Sequence, residues 1–134
     1  MQEKQSNNHQ GWGIGVDIER IDRFKKLEYG KNDSFLRRVF TKAEIEYSFS
    51  YKDFAPHLAV RFCAKEAVRK ALGGFFARPV DLRDVEVVLN SNGVPSIRIR
   101  EDICEGIECL VSLSHTNDLA IAFVIAVYTY ANAK

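Results

Sequence analysis

Apolar positions along the chain change period several times. From Trp12 to Ile18 they alternate with Gly13, Gly15 and Asp17, the two-residue repeat of a half-buried strand. Ile18, Ile21, Phe24 and Leu27 then recur every third position, which predicts that the strand runs into a helical turn with Asp17 at the junction as N-cap. Thr41-Lys42-Ala43-Glu44 has the form of a capping box, so a second helix is expected from Lys42 towards Phe49. His57 to Leu72 forms the clearest helix, free of internal Gly or Pro, preceded by Pro56 and followed by Gly73-Gly74. At about 100° per residue, Val60, Cys63, Ala64, Ala67, Val68 and Ala71 make one small apolar stripe on it. The opposite face sets Arg61, Lys65, Glu66, Arg69 and Lys70 among Leu58, Phe62 and Leu72.

Two hairpins follow. Val85–Leu89 and Ser96–Ile99 flank a loop, Asn90–Pro95, that contains Asn92-Gly93, and Cys109–Ser114 leads through His115-Thr116-Asn117-Asp118 into Leu119–Val127. Helices first and hairpins afterwards predict an α+β domain whose antiparallel sheet packs on the long helix. Residues 1–10, rich in Gln and Asn without periodicity, are expected to be a disordered leader or an expression remnant, and residues 11–130 a single domain.

Composition narrows the classes. The chain has 134 residues, enough for one core of ordinary size. Its 19 Lys and Arg offset 18 Asp and Glu to a net charge of +1, too little to imply nucleic acid or an anionic membrane as partner. A nucleic-acid binder built on the Arg61, Lys65 and Arg69 stripe is a poor reading for the same reason. Three cysteines with no Cys-x-x-Cys step argue against zinc clusters and disulfide scaffolds and favour a reducing cytoplasm. The longest apolar stretch, Leu119 to Val127, falls well short of the roughly 20 residues of a spanning helix and reads as a buried strand.

Two carboxylates stand out: Asp17 at the end of an apolar strand and Glu66 on the mixed face of the long helix. Mg²⁺ takes one or two carboxylates and fills its remaining sites with water and substrate phosphate, so this pair, with Lys70 and other cations nearby, suits phosphate chemistry. On spacing alone, the ordinary reading prevails: Glu66 and Lys70 form a helix ion pair and Asp17 only caps. Ser112-Leu113-Ser114-His115 offers hydroxyls on one strand face with an imidazole at its mouth. It reads as a phosphate-contacting cluster, as strand-end polarity, or, without an identifiable orienting acid, as a nucleophilic pair. His57 carries no evident signal.

Four segments taken together resemble one family: Gly15-Val16-Asp17-Ile18 with Arg23 downstream; Arg61-Phe62-Cys63-Ala64-Lys65-Glu66-Ala67 followed by Lys70, Ala71 and Gly73; Asn92-Gly93-Val94-Pro95; and Ser112-Leu113-Ser114-His115-Thr116. In order and spacing, over roughly Ile14 to Val127, they are similar to the holo-acyl-carrier-protein synthase group of 4′-phosphopantetheinyl transferases. The resemblance implies transfer of the 4′-phosphopantetheine arm of coenzyme A to a serine of acyl carrier protein, leaving adenosine 3′,5′-bisphosphate. It further implies Mg²⁺ on Asp17 and Glu66, Lys70 at the diphosphate, and Arg61, His115 and Thr116 with Lys70 at coenzyme A. Arg23, and more weakly Arg20, Arg37 and Arg38, would meet the carrier. Short length places the chain in the branch for which a homotrimer with sites between protomers is expected. The departures are Cys63 where the family has alanine and the extra leader. A non-catalytic carrier-binding or anion-binding module on the same fold is the competing reading.

Overall fold

The computed structural model describes residues 11–31, 33–76, 78–100 and 102–129. The expected leader, 1–10, and the last residue of the expected domain, 130, lie outside them.

Nine β-residues open the domain as β1 (Trp12–Arg20), followed by α1 (Asp22–Lys25), α2 (Asp33–Val39), α3 (Lys42–Phe49) and α4 (Ala55–Leu72). A 3₁₀ turn at Leu82–Asp84 leads to β2 (Val85–Leu89) and β3 (Pro95–Ile99), then β4 (Ile107–His115) and β5 (Leu119–Tyr128). The expected α+β class holds, with the hairpins divided between two sheets. β1, β5 and β4 make a three-stranded antiparallel sheet in that order, and β2 and β3 make a two-stranded one.

Asp17 does not cap a helix. Pairing of β1 with β5 continues to Arg20↔Leu119, and the Ile21 amide donates to the Asp118 carbonyl, so the backbone stays in the sheet past Asp17. Ile21 sits at the start of α1 with no side-chain cap. α3 begins where expected: Thr41 Oγ1 accepts from the Glu44 amide and Glu44 Oε1 accepts from the Thr41 amide. α4 starts at Ala55, and Pro56 falls in the first turn, where its missing N–H costs no hydrogen bond. The β2–β3 loop closes on Asn90, whose Oδ1 accepts from the amides of Asn92 and Val94, while Gly93 takes φ +76°.

The core lies between α4 and the inner face of the larger sheet. Ala59, Cys63, Ala67 and Ala71 of the helix meet Ala120, Ala122, Val124 and Ala126 of β5, all buried. Small residues on both sides allow close approach, and β1 comes closest. A Cβ on Gly15 would overlap the Ala67 carbonyl, and one on Gly13 the Ala71 carbonyl. These two glycines set β1 against the middle and end of α4, which decides what Asp17 faces.

Candidate active site

Residues 13, 15, 17 and 19 of β1 point towards α4, so Asp17 projects onto the helix just beyond the glycine contact. Its side chain is 14% exposed, Oδ1 lies 3.4 Å from Lys70 Nζ, and Oδ2 is buried without a hydrogen-bond partner. Lys70 Nζ also donates to the Val16 carbonyl at 2.8 Å, which leaves one of its three N–H groups for a ligand. Cys63, one turn earlier on α4 than Glu66, feels the same carboxylate: its thiol is pushed up to about 12 by burial and then by the Asp17 charge. Cys63, Glu66 and Lys70 fall within about 60° of one another around the helix. Glu66 therefore lies on α4 between the two residues that interact with Asp17.

The expected Glu66–Lys70 pair is absent from the ion pairs of the described residues. Lys70 reaches Asp17, and Glu66 is 3.8 Å from Arg69. A cavity of about 350 Å³ opens beside Lys70 towards the end of α4, with Arg69, Lys70, Gly73, Phe76 and Arg78 in its wall. Arg78 joins Lys70 there from the segment after α4, too far along the chain for helical spacing to have indicated it.

Lys65 departs most from its expected place. It is fully buried, pairs with Glu44 Oε1 at 2.6 Å, and donates to the carbonyls of Leu82 and Val85. It is a structural cation and does not stand beside Glu66 for phosphate. Arg61 is 4% exposed; Nη1 donates to the His57 carbonyl, the guanidinium lies over the Tyr47 ring at 4.4 Å, and Nε has no partner. Burial holds its pKa below the ordinary arginine value.

At the far end of β4, His115 is exposed, with Nδ1 3.1 Å from the Thr116 carbonyl. Thr116 Oγ1 accepts from the amides of Asp118 and Leu119 and so shapes the β4–β5 turn. Strand alternation puts Ser112 and Ser114 on the outer face with Leu110, and His115 on the inner face with Cys109, so Ser114 and His115 do not form a nucleophilic pair. His57, dismissed from the sequence, lies in the same electrostatic neighbourhood as Arg61 and His115: burial first, then these two groups, lower its pKa. Arg23 pairs with Glu19 at 3.0 Å and lies over the Phe62 ring at 4.9 Å. Arg20, Arg37 and Arg38 are exposed nearby in sequence.

Two carboxylates flanked by lysine and arginine, with a second cationic cluster at the other end of one helix, match the residue order of a known group. Residues 13–124 match the 4′-phosphopantetheinyl transferase superfamily. The chain belongs to this superfamily. A holo-[acyl-carrier-protein] synthase of Thermodesulfovibrio yellowstonii is 42% identical over 115 residues, covering 84% of this chain and 96% of that one. One from Aquifex aeolicus is 38% identical over 113 residues, covering 81% and 93%. Among solved superfamily members, the Bacillus anthracis holo-(acyl-carrier-protein) synthase in complex with CoA (3′,5′-ADP) superposes with a TM-score of 0.72 at 29% identity, covering 87% of this chain and 96% of that one. The Helicobacter pylori enzyme in complex with coenzyme A also gives 0.72, at 28% identity and with 84% and 98% covered.

Asp17 and Glu66 fit the Mg²⁺ expected for this chemistry. The described residues contain no group of three or more His, Cys, Asp or Glu that would hold a metal unaided. Mg²⁺ acting on phosphate needs only one or two carboxylates, and Asp17 Oδ2, buried with no hydrogen-bond partner, is an acceptor available to it.

Proposed function

We propose that this chain is a holo-acyl-carrier-protein synthase. It transfers the 4′-phosphopantetheine group from coenzyme A to a serine hydroxyl of apo-acyl carrier protein and releases adenosine 3′,5′-bisphosphate. The observation that carries this reading is Asp17, whose Oδ1 meets Lys70 while its buried Oδ2 has no hydrogen-bond partner, on the helix side of β1 beside the stretch that holds Glu66.

The serine oxygen forms a bond to the pantetheine-side phosphorus of the diphosphate, and the bond from that phosphorus to the bridging oxygen breaks. Negative charge grows on the leaving phosphate, where Lys70 places its remaining N–H donor and Arg69 and Arg78 add fixed positive charge. The serine proton passes to Glu66 through a bridging water; among the described ion pairs this carboxylate makes one long contact, to Arg69. Asp17 and Glu66 would hold Mg²⁺, which when bound neutralises diphosphate charge and lowers the pKa of a water it binds. Asp17 also fixes the direction of the Lys70 ammonium. Arg61 and His115 bind the phosphate of coenzyme A remote from the reacting bond, with Thr116 holding the turn that presents His115.

Arg23 and Arg20, with Arg37 and Arg38, offer positive charge to an acidic carrier protein. The outer face of the larger sheet supports assembly into a homotrimer. Trp12, Ile14, Val16 and Ile18 of β1 stand opposite Val127, Ile125, Phe123 and Ile121 of β5, and Trp12, Ile14 and Ile18 are each more than half exposed. A contiguous apolar sheet face is rare on a monomer and suits a second copy of the same chain. Sites completed between protomers follow, because one small domain offers only shallow walls to a ligand as long as coenzyme A. The free cysteines suit a cytoplasmic location, and no helix among the described residues is long and apolar enough to cross a membrane.

Incubation with apo-carrier protein, coenzyme A and Mg²⁺ tests the reading. The carrier gains the mass of one phosphopantetheine group, and chelation of the metal abolishes the gain. Carrier binding without mass gain at saturating coenzyme A would favour the non-catalytic module instead.

A further inference from the structure

At the start of α4 three rings and a guanidinium form one cluster. His57 stacks on Tyr51, with centroids 4.0 Å apart and planes at 22°, and meets the edge of Tyr47 at 5.7 Å. The Tyr47 and Tyr51 hydroxyls are 3.2 Å apart, so the two tyrosines brace each other. Tyr47 also carries the Arg61 guanidinium on its ring, and Arg61 Nη1 holds the His57 carbonyl. Neither the Arg61 charge nor the imidazole has a carboxylate partner among the described ion pairs. Glu44, which acts on Arg61 from α3, is already bound by Lys65.

A buried cation with no counter-ion calls for one from outside, because an unpaired charge out of water is costly. Three groups that carry or can take positive charge converge here from two elements, Arg61 and His57 from α4 and His115 from β4. The reacting diphosphate is served by Asp17, Glu66 and Lys70 further along the helix. The anion left for this cluster is the phosphate monoester of the same substrate, a near-dianion at neutral pH.

We propose that His57, held in place by its stack on Tyr51, is a third ligand of the coenzyme A monoester phosphate beside Arg61 and His115, and that its protonation makes the preference for that phosphate pH-dependent. The inference rests on the assignment of Arg61 and His115 to coenzyme A and adds a residue to it. The groups acting on His57 are Tyr47 of α3, Tyr51 and Asp53 of the loop after it, Arg61 of α4 and His115 of β4. Asp53 is the only acid among them, and its influence is the weakest of those on the imidazole. Burial, Arg61 and His115 therefore keep free His57 neutral through neutral pH. A bound dianion reverses this balance and favours the imidazolium, so binding takes up a proton. Affinity then tightens as pH falls below the pKa of the bound form and levels off below that of the free form. Imidazolium over the Tyr51 ring is itself favourable, so the stack supports the charged state.

The test compares dissociation constants of coenzyme A and of dephospho-coenzyme A, which lacks only the monoester phosphate, from pH 6.5 to 8, where that phosphate stays mostly a dianion. The ratio of the two isolates the phosphate and cancels any general loss of fold. In the wild type the preference for coenzyme A rises on acidification, up to a limit of about tenfold for each pKa unit that the phosphate adds to His57. His57→Phe, which keeps a ring on Tyr51, removes most of that rise and leaves dephospho-coenzyme A binding intact, and His57→Gln does the same. If Arg61→Gln and His115→Gln lower the preference while His57→Phe keeps the wild-type profile, His57 is not a ligand and the inference fails alone. If Arg61→Gln and His115→Gln leave the preference unchanged at every pH, the phosphate lies elsewhere and the underlying assignment fails with it.

Discussion

Lys65 Nζ lies 2.6 Å from Glu44 Oε1 with both side chains out of water, and the pair ties three elements together. Glu44 caps α3 and accepts from the Val87 amide of β2, while Lys65 bonds the carbonyls that precede and open β2. Removing one partner leaves a buried, unpaired charge, which costs about 3–5 kcal/mol. Lys65→Met is therefore expected to lower unfolding free energy in urea by that order, and the double change Lys65→Met with Glu44→Gln to recover part of it. A Lys65→Met protein as stable as wild type would show that the pair does not hold the helices together.

Gly15 faces the Ala67 carbonyl with no room for a Cβ. Gly15→Ala must push β1 off α4, and overpacking of this kind costs about 1–3 kcal/mol. Because the same strand carries Asp17, transfer activity is expected to fall further than stability does. A control in the β2–β3 loop, Val94→Ala, removes exposed apolar atoms without touching β1 or α4. Equal losses of activity in the two variants would sever the link between strand approach and site geometry.

Much of this arrangement was legible along the chain, for reasons that differ by element. α4 carries long, uninterrupted periodicity, the hairpins are bounded by turn residues, and Thr41 to Glu44 has a local capping signature, so their positions follow from sequence; the apolar run Leu119–Val127, expected to be a buried strand, instead alternates, with Leu119, Ile121 and Phe123 exposed. α2 was not expected, since Phe35, Leu36, Val39 and Phe40 give a helical spacing too short to stand out. Asp17 was placed at a helix start because its strand neighbours resemble a junction, whereas long-range pairing with β5 keeps it in the sheet. Lys65 and Arg61 share a helical face with Glu66 on a wheel, but Glu44 and Tyr47 bury them, and contacts of that kind between distant segments leave no spacing in the chain.

The outer face of the β1–β5–β4 sheet is expected to be covered by another protomer. Ile14 is 68% exposed and Val16 49%, in the middle of the apolar ladder. Ile14→Asp should convert the assembly to monomers on size exclusion with light scattering, and transfer activity should fall with it. A wild-type protein that elutes as a monomer at assay concentrations would contradict self-association.

Cys63 and Cys109 are buried, and their thiols are pushed up to about 12, chiefly by loss of solvent. Thiols react as thiolates, so at pH 8 both remain protonated and slow towards disulfide reagents in the native state. Only after unfolding in urea should three equivalents titrate rapidly. Fast native labelling at Cys63 would mean that the contact between α4 and β5 opens readily.

The proposed function assigns transfer of phosphopantetheine to Asp17 and Glu66 with Lys70. It is tested most directly by the mass of apo-acyl carrier protein after timed incubation with coenzyme A, Mg²⁺ and either wild type, Asp17→Asn or Glu66→Gln. The wild type is expected to add one phosphopantetheine group per carrier, and each variant to do so slower by about 10²-fold or more, with coenzyme A binding retained. Variants that modify the carrier as fast as wild type, or a wild type that leaves it unmodified, would contradict the account.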